Sequence, residues 1–350
     1  MTRVRRLAVG FVFILITTSC GALPNGPGVA SGSPSPSIQV SPTSLASASP
    51  LSALATCSLS GAPDARMAAS AAYDPSAAHV VLFGGDRTIN GGNLSTAETW
   101  IWNGAMWTLY AGDGPSARAY AAMDYDAAHR EIVLYGGQHD VAGSSPISSF
   151  DTWVWDGSKW LNSTPALTPK LRQPAGAFDV ARSAFVVFGI GASGPETWLW
   201  NGSQWAMTNP AHTPSARTGE HMAFVTTSKQ VLLFGGYASG LGYLSDTWIW
   251  DGVDWHEPTL SDAPSGRVSP TLVSGPQVVL FGGGGGRGPL GDDWSWDGSQ
   301  WTRVASQHFP SAREAAAGAS DGQSVLIVGG DSGAVLSDEW RWDGSDWTQC

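Results

Sequence analysis

The stretch VLLFGG (231–236), followed by DTWIWDG (246–252) and Trp255, decides how this chain folds. VLLF is apolar at every position, which asks for a strand buried on both faces. Gly-Gly ends that strand where the backbone must take φ > 0 or approach another chain closely. In Trp-x-Trp the two indoles share one face of the next strand, because side chains alternate along it. Asp-Gly is a strong hairpin signal and leads into a further strand carrying the third Trp. Arg217 opens the unit, ahead of a first strand that in the other copies holds mostly small residues.

The unit occurs six times, and internal repetition fixes the architecture before any single residue does. The first copy has Arg66, VVLFGG (80–85), ETWIWNG (98–104) and Trp107; the second has Arg118, IVLYGG (132–137), DTWVWDG (151–157) and Trp160. The third has Arg172, FVVFGIG (185–191), ETWLWNG (196–202) and Trp205. After the fourth, quoted above, come Arg267, VVLFGG (278–283), DDWSWDG (292–298) and Trp301, then Arg313, VLIVGG (325–330), DEWRWDG (338–344) and Trp347. Equivalent tryptophans at 102, 155, 200, 250, 296 and 342 lie 53, 45, 50, 46 and 46 residues apart. Each unit reads as a four-stranded meander. A strand apolar on both faces needs a neighbouring sheet on each side, and a β-propeller supplies one. The expectation is an all-β, six-bladed propeller over residues 57–350, with repeats near 64–110, 115–163, 170–208, 214–258, 264–304 and 310–350.

Three tryptophans in each of six units account for all 18 in the chain. Indoles at repeated positions read as fillers between sheets; the competing reading is sugar-stacking platforms on the surface. Charged residues are only 13% and the net charge is −11. An acidic surface without basic runs argues against non-specific binding to nucleic acid or anionic lipid.

The first 20 residues read as an export signal: Arg3, Arg5 and Arg6, an apolar run from Leu7 to Thr17, then Ser19 and Cys20. The ending resembles a bacterial lipoprotein signal, in which Cys20 is lipidated and becomes the N-terminus; plain secretion is the alternative. Thr17 departs from that pattern, which usually has Leu there. Diacylation suffices for stable anchoring. Residues 21–56 hold no charge and are rich in Ser, Pro, Ala and Gly, the composition of a disordered tether. The expected location is extracytoplasmic, anchored to a bacterial membrane.

Two cysteines then remain for the domain. Four of the five connections from a closing Trp to the next Arg span 12 residues; Cys350 lies 3 after Trp347 and Cys57 lies 9 before Arg66. Both cysteines therefore occupy one position in the repeat frame, and a closed ring brings them together as a disulfide. The alternative is two free thiols.

Gly-Gly after an apolar strand, an aromatic pair and a terminal Trp resemble the kelch repeat, over about residues 62–350. The resemblance implies a propeller with binding surfaces on its loops and channel mouth, and no single function. Such propellers include adaptors and scaffolds, sugar mutarotases and copper oxidases of the galactose oxidase type. Copper chemistry is not supported: the domain cysteines have another role, and His79 and His129 fall in strand turns without metal-ligand spacing. No cofactor is expected. Arginines at the channel mouth bind acidic ligands in some kelch domains, which makes Arg66, Arg118, Arg172, Arg217, Arg267 and Arg313 candidate ligand-binding residues. The structural alternative pairs each with the carboxylate before its Trp pair: Glu98, Asp151, Glu196, Asp246, Asp292 and Asp338. Asymmetry lies elsewhere, in Glu220 and His221, in His139 and Asp140, and in the run Gly282–Gly286 beside Arg287. The leading expectation is a monomeric binding or scaffold module for a protein or glycan. The alternative is a mutarotase-like carbohydrate enzyme using Glu220 and His221 for acid–base work.

Overall fold

The computed structural model describes residues 61–89, 92–140 and 145–350. The leader, the tether, Cys20 and Cys57 lie outside the described residues. Those residues contain no helix and form six four-stranded antiparallel sheets. The first strands of the blades are Ser70–Asp74, Ala122–Asp126, Arg172–Asp179, His221–Val225, Thr271–Val273 and Ala317–Ser320. In every blade the strands follow in sequence order. Blade 4 continues with Gln230–Phe234, Thr247–Trp250 and Trp255–His256, in register at Phe234↔Thr247, Val231↔Trp250 and Trp250↔Trp255. Each first strand contacts the first strand of the next blade, and that of blade 6 contacts that of blade 1. The ring is closed.

Alternation along the apolar strands fills the gaps between blades. Val231 and Leu233 pack with Val186 and Phe188 of blade 3, whereas Leu232 and Phe234 pack with Val278 and Leu280 of blade 5. Six such clusters occupy the six gaps. No tryptophan is exposed, and the second and third indoles of every blade are in contact, as in Trp250–Trp255 at 5.4 Å. The indoles are wedges between sheets.

The third Trp of each blade also ties it to the blade before. Its Nε1 donates to the residue preceding the neighbouring Trp pair: Trp160 to Thr99, Trp205 to Thr152, Trp255 to Thr197, Trp301 to Thr247 and Trp347 to Asp293. Trp107 of blade 1 closes the circle by donating to Glu339 of blade 6 at 2.6 Å.

Gly-Gly does both things its sequence implies. Gly235 and Gly236 have φ of 71° and 102°, and the Gly236 N–H donates to the Arg267 carbonyl of blade 5. A Cβ on Gly235 would stand 2.7 Å from that carbonyl oxygen. Only glycine allows the two blades to meet there.

Candidate binding face

Five of the six repeated arginines are buried ties within their own blades. Arg217 is representative: Nε donates to the Ser215 carbonyl, Nη1 to the Gly235 carbonyl and Asp246, and Nη2 to Ser215 Oγ and Asp246. Arg66, Arg118, Arg267 and Arg313 repeat the pattern with Glu98, Asp151, Asp292 and Asp338 at 2.5–2.7 Å. Burial opposes ionisation of these four carboxyls, yet the guanidinium partner holds each below its usual range. The same carboxylates accept the first Trp of the pair, as Asp246 does from Trp248. With their donors consumed, these arginines are not a free ring for an acidic ligand.

Blade 3 corrects the expected sixth pair. The buried slot belongs to Leu171, and Arg172 is displaced one residue onto the surface, with no ion pair among the described residues. Tyr135 fills the polar gap by donating to the Pro169 carbonyl and accepting from the Leu171 N–H. Glu196 keeps only its Trp198 bond. Backbone geometry marks the true frame: Ala68, Tyr120, Gln173, Gly219, Ser269 and Ala315 all have positive φ. Those six residues form a collar at the channel mouth.

The channel holds a cavity of about 130 Å³. Glu220 and His221 line it, with small residues from every blade. Where blade 4 has Glu220, the other blades carry Ala69, Ala121, Pro174, Pro270 and Ala316. Both Glu220 carboxyl oxygens are shielded from solvent and accept no hydrogen bond. Burial pushes Glu220 up to about 8 and His221 down to about 4, so both are neutral near pH 7. Small-molecule sites usually occupy a few hundred Å³, so this cavity is small for a sugar.

The strand-two-to-three loops and the blade-to-blade connections emerge at one end of the ring, as a meander requires. There four blades carry accessory hairpins: Asp86–Ile89 with Gly92–Ser95, Gln138–His139 with Ile147–Ser148, Tyr237–Ala238 with Gly242–Tyr243, and Gly284–Gly285 with Gly288–Pro289. Leu241, Tyr237 and Tyr243 are exposed on the blade 4 hairpin, and the two rings meet edge to face at 5.5 Å. Asp86, Asp140, Glu314 and Asp331 surround Tyr120 at the channel mouth. Burial and then those four charges push the Tyr120 phenol well above its usual range. Sequence reasoning singled out Asp140 but missed the other three acids, which converge only through the bridges Met67↔Asp86 and Glu314↔Asp331.

At the opposite end, Asp126, His129 and Glu131 form a compact trio. Asp126 accepts the Ala128 and His129 N–H groups and pairs with the His129 ring at 2.8 Å. A Cβ on Gly202 of blade 3 would stand 2.3 Å from that ring. The trio shapes a turn against the neighbouring blade.

Residues 196–350 match a family model described as the KLHDC2/KLHL20/DRC7 Kelch-repeats domain. That segment holds the end of blade 3 and all of blades 4–6. Taken with the closed ring of six four-stranded blades, it makes the chain a kelch-repeat β-propeller. Such propellers typically mediate protein binding, and this chain has the architecture of a binding or scaffold module. No curated protein matches the chain.

Proposed function

We propose that this chain is a monomeric, extracytoplasmic binding module, tethered through lipidated Cys20, that engages a protein partner with its hairpin face. One observation carries the reading: five of the six repeated arginines are consumed by the ring, whereas four blades add hairpins at one face that bring exposed groups from outside the repeat, among them Leu94, Ile147, Tyr237, Leu241 and Tyr243. The cavity of about 130 Å³ beside a shielded Glu220 gives a carbohydrate enzyme little to work with. The leader and tether compositions support export and anchoring. The Cys57–Cys350 disulfide belongs to the same reading. Ala62, a few residues beyond Cys57, packs on the blade 6–blade 1 cluster together with Cys350.

A photo-crosslinking residue at Leu241, compared with one at Val253 on the opposite end, tests the face in intact cells. Protein adducts should form from Leu241 and not from Val253. Adducts from Val253 alone, or glycan capture without any protein adduct, contradict the proposal. Cys20→Ala should release the chain from membranes, and retention by the membrane fraction contradicts the lipid tether.

A further inference from the structure

Given a binding face at the hairpins, its chemistry narrows what the partner presents. Asp86 of blade 1, Asp140 of blade 2, and Glu314 and Asp331 of blade 6 crowd one side of the channel mouth. Among the described residues, none of them pairs with a Lys or Arg, unlike the five carboxylates tied to arginines. Asp86 is fully buried; Oδ1 accepts Ser95 Oγ at 2.6 Å, and Oδ2 has no hydrogen-bond partner. Glu314 lies where a Cβ on Gly284 would come within 1.8 Å of its Oε2, so the glycine keeps room for the carboxylate. Asp331 also lines an open groove of about 650 Å³ between the blade 1 hairpin and blade 6, shared with Arg87, whose guanidinium is held by Asp64 and Glu98. Across the ring, blade 4 presents Leu241 and the Tyr237–Tyr243 pair.

Carboxylates without counter-charge attract a cation. A single metal ion does not suit them. Among the described residues the trio able to hold one ion is Asp126, His129 and Glu131, at the far end of blade 2. A basic side chain, long and with several donors, suits carboxylates spread over three blades. A second copy of this acidic chain does not. We infer that the hairpin face takes a protein segment with Lys or Arg near an apolar residue. The cation meets Asp140, Glu314 and Asp331, to which the buried Asp86 adds its charge, and the apolar group meets Leu241, Tyr237 and Tyr243.

The test is fluorescence polarisation of the full chain in detergent against three labelled peptides: Arg/Leu-rich, Glu/Leu-rich, and neutral Ser/Gln-rich. The Arg/Leu peptide should bind, and raising salt should weaken it. Its affinity should fall about tenfold in the Glu314→Gln/Asp331→Asn double variant. Asp113→Asn/Glu257→Gln removes the same charge at exposed rim positions and should leave affinity unchanged. Thermal melting should be alike in both variants. Tyr237→Ala/Tyr243→Ala should also weaken binding. Equal binding of the Glu/Leu peptide, no binding of the Arg/Leu peptide, or unchanged affinity in the Glu314/Asp331 variant overturns the inference. Leu241 crosslinks to protein would then still uphold the binding face; their absence as well would overturn both.

Discussion

Arg217 and Arg172 carry the same side chain in the same repeat position by sequence, yet they live in different environments. Arg217 is buried and fully bonded, so Arg217→Ala leaves Asp246 without its partner and two backbone-side acceptors unmatched. Removing one member of a buried pair typically costs about 3–5 kcal/mol. Arg172→Ala, at an exposed position, should change stability by no more than about 0.5 kcal/mol. Denaturant unfolding of both variants checks the contrast. Glu220 is the other informative residue. Its folded-state pKa, raised by burial to about 8, exceeds the unfolded value of about 4.5. The unfolded chain therefore ionises first, and stability falls as pH rises through that window, levelling off above it. Glu220→Gln should stabilise the chain by a few kcal/mol at about pH 9 and by much less at about pH 4. An equal gain at both pH values contradicts the buried, unpartnered carboxyl. The Arg172 frame was illegible in sequence because a one-residue slip leaves the Arg count intact. Only the positive φ at Gln173 and the buried Leu171 reveal it.

At the level of strands and loops, the Gly-Gly pair and the Trp-x-Trp strand were legible because each answers a local demand of backbone or pleat. Their partners in the next blade were not. Gly329 shows the difference: it has φ +67°, and a Cβ there would lie 2.3 Å from the Arg66 carbonyl oxygen of blade 1. Gly329→Ala should cost roughly 2–4 kcal/mol, since backbone cannot yield easily. Gly136→Ala meets only the Pro174 ring at 3.0 Å and should cost about 1–2 kcal/mol, mainly for its φ. Equal losses in thermal unfolding would show that the close approach to the next blade does not matter. The threonine before the Trp pair was a missed signal. It stands at Thr99, Thr152, Thr197 and Thr247, and its regularity pointed to the indole bond that links each blade to the next. Asp140 apart, the channel-mouth acids were beyond sequence reading, because blades 1, 2 and 6 bring them together only after the ring closes.

For the whole molecule, the junction between blades 6 and 1 is built differently from the other five. Blades 1–5 each present a Phe or Tyr to the third Trp of the following blade, as in Phe234–Trp301 at 5.3 Å. Blade 6 has Val328 there. The indole acceptor is Glu339, where four junctions use Thr and the blade 5–blade 6 junction uses Asp293, and burial pushes the Glu339 carboxyl up to about 7. By the same sign argument as for Glu220, this seam weakens as pH rises from about 4.5 to about 7. Glu339→Gln keeps an acceptor for Trp107 and should raise the melting temperature more at about pH 8 than at about pH 4. The proposed disulfide between Cys57 and Cys350 would close nearly the whole domain and be worth about 4–5 kcal/mol by loop entropy. Everything proposed for the hairpin face presupposes that the ring stays shut. Hydrogen exchange of the native, oxidised chain, read strand by strand, measures that most directly. Ser70–Asp74 and Ala317–Ser320 should exchange as slowly as Ala122–Asp126 and His221–Val225, and reduction should accelerate the first pair before the second. Fast exchange of the blade 1 and blade 6 strands in the oxidised chain would mean an open ring and contradict the account.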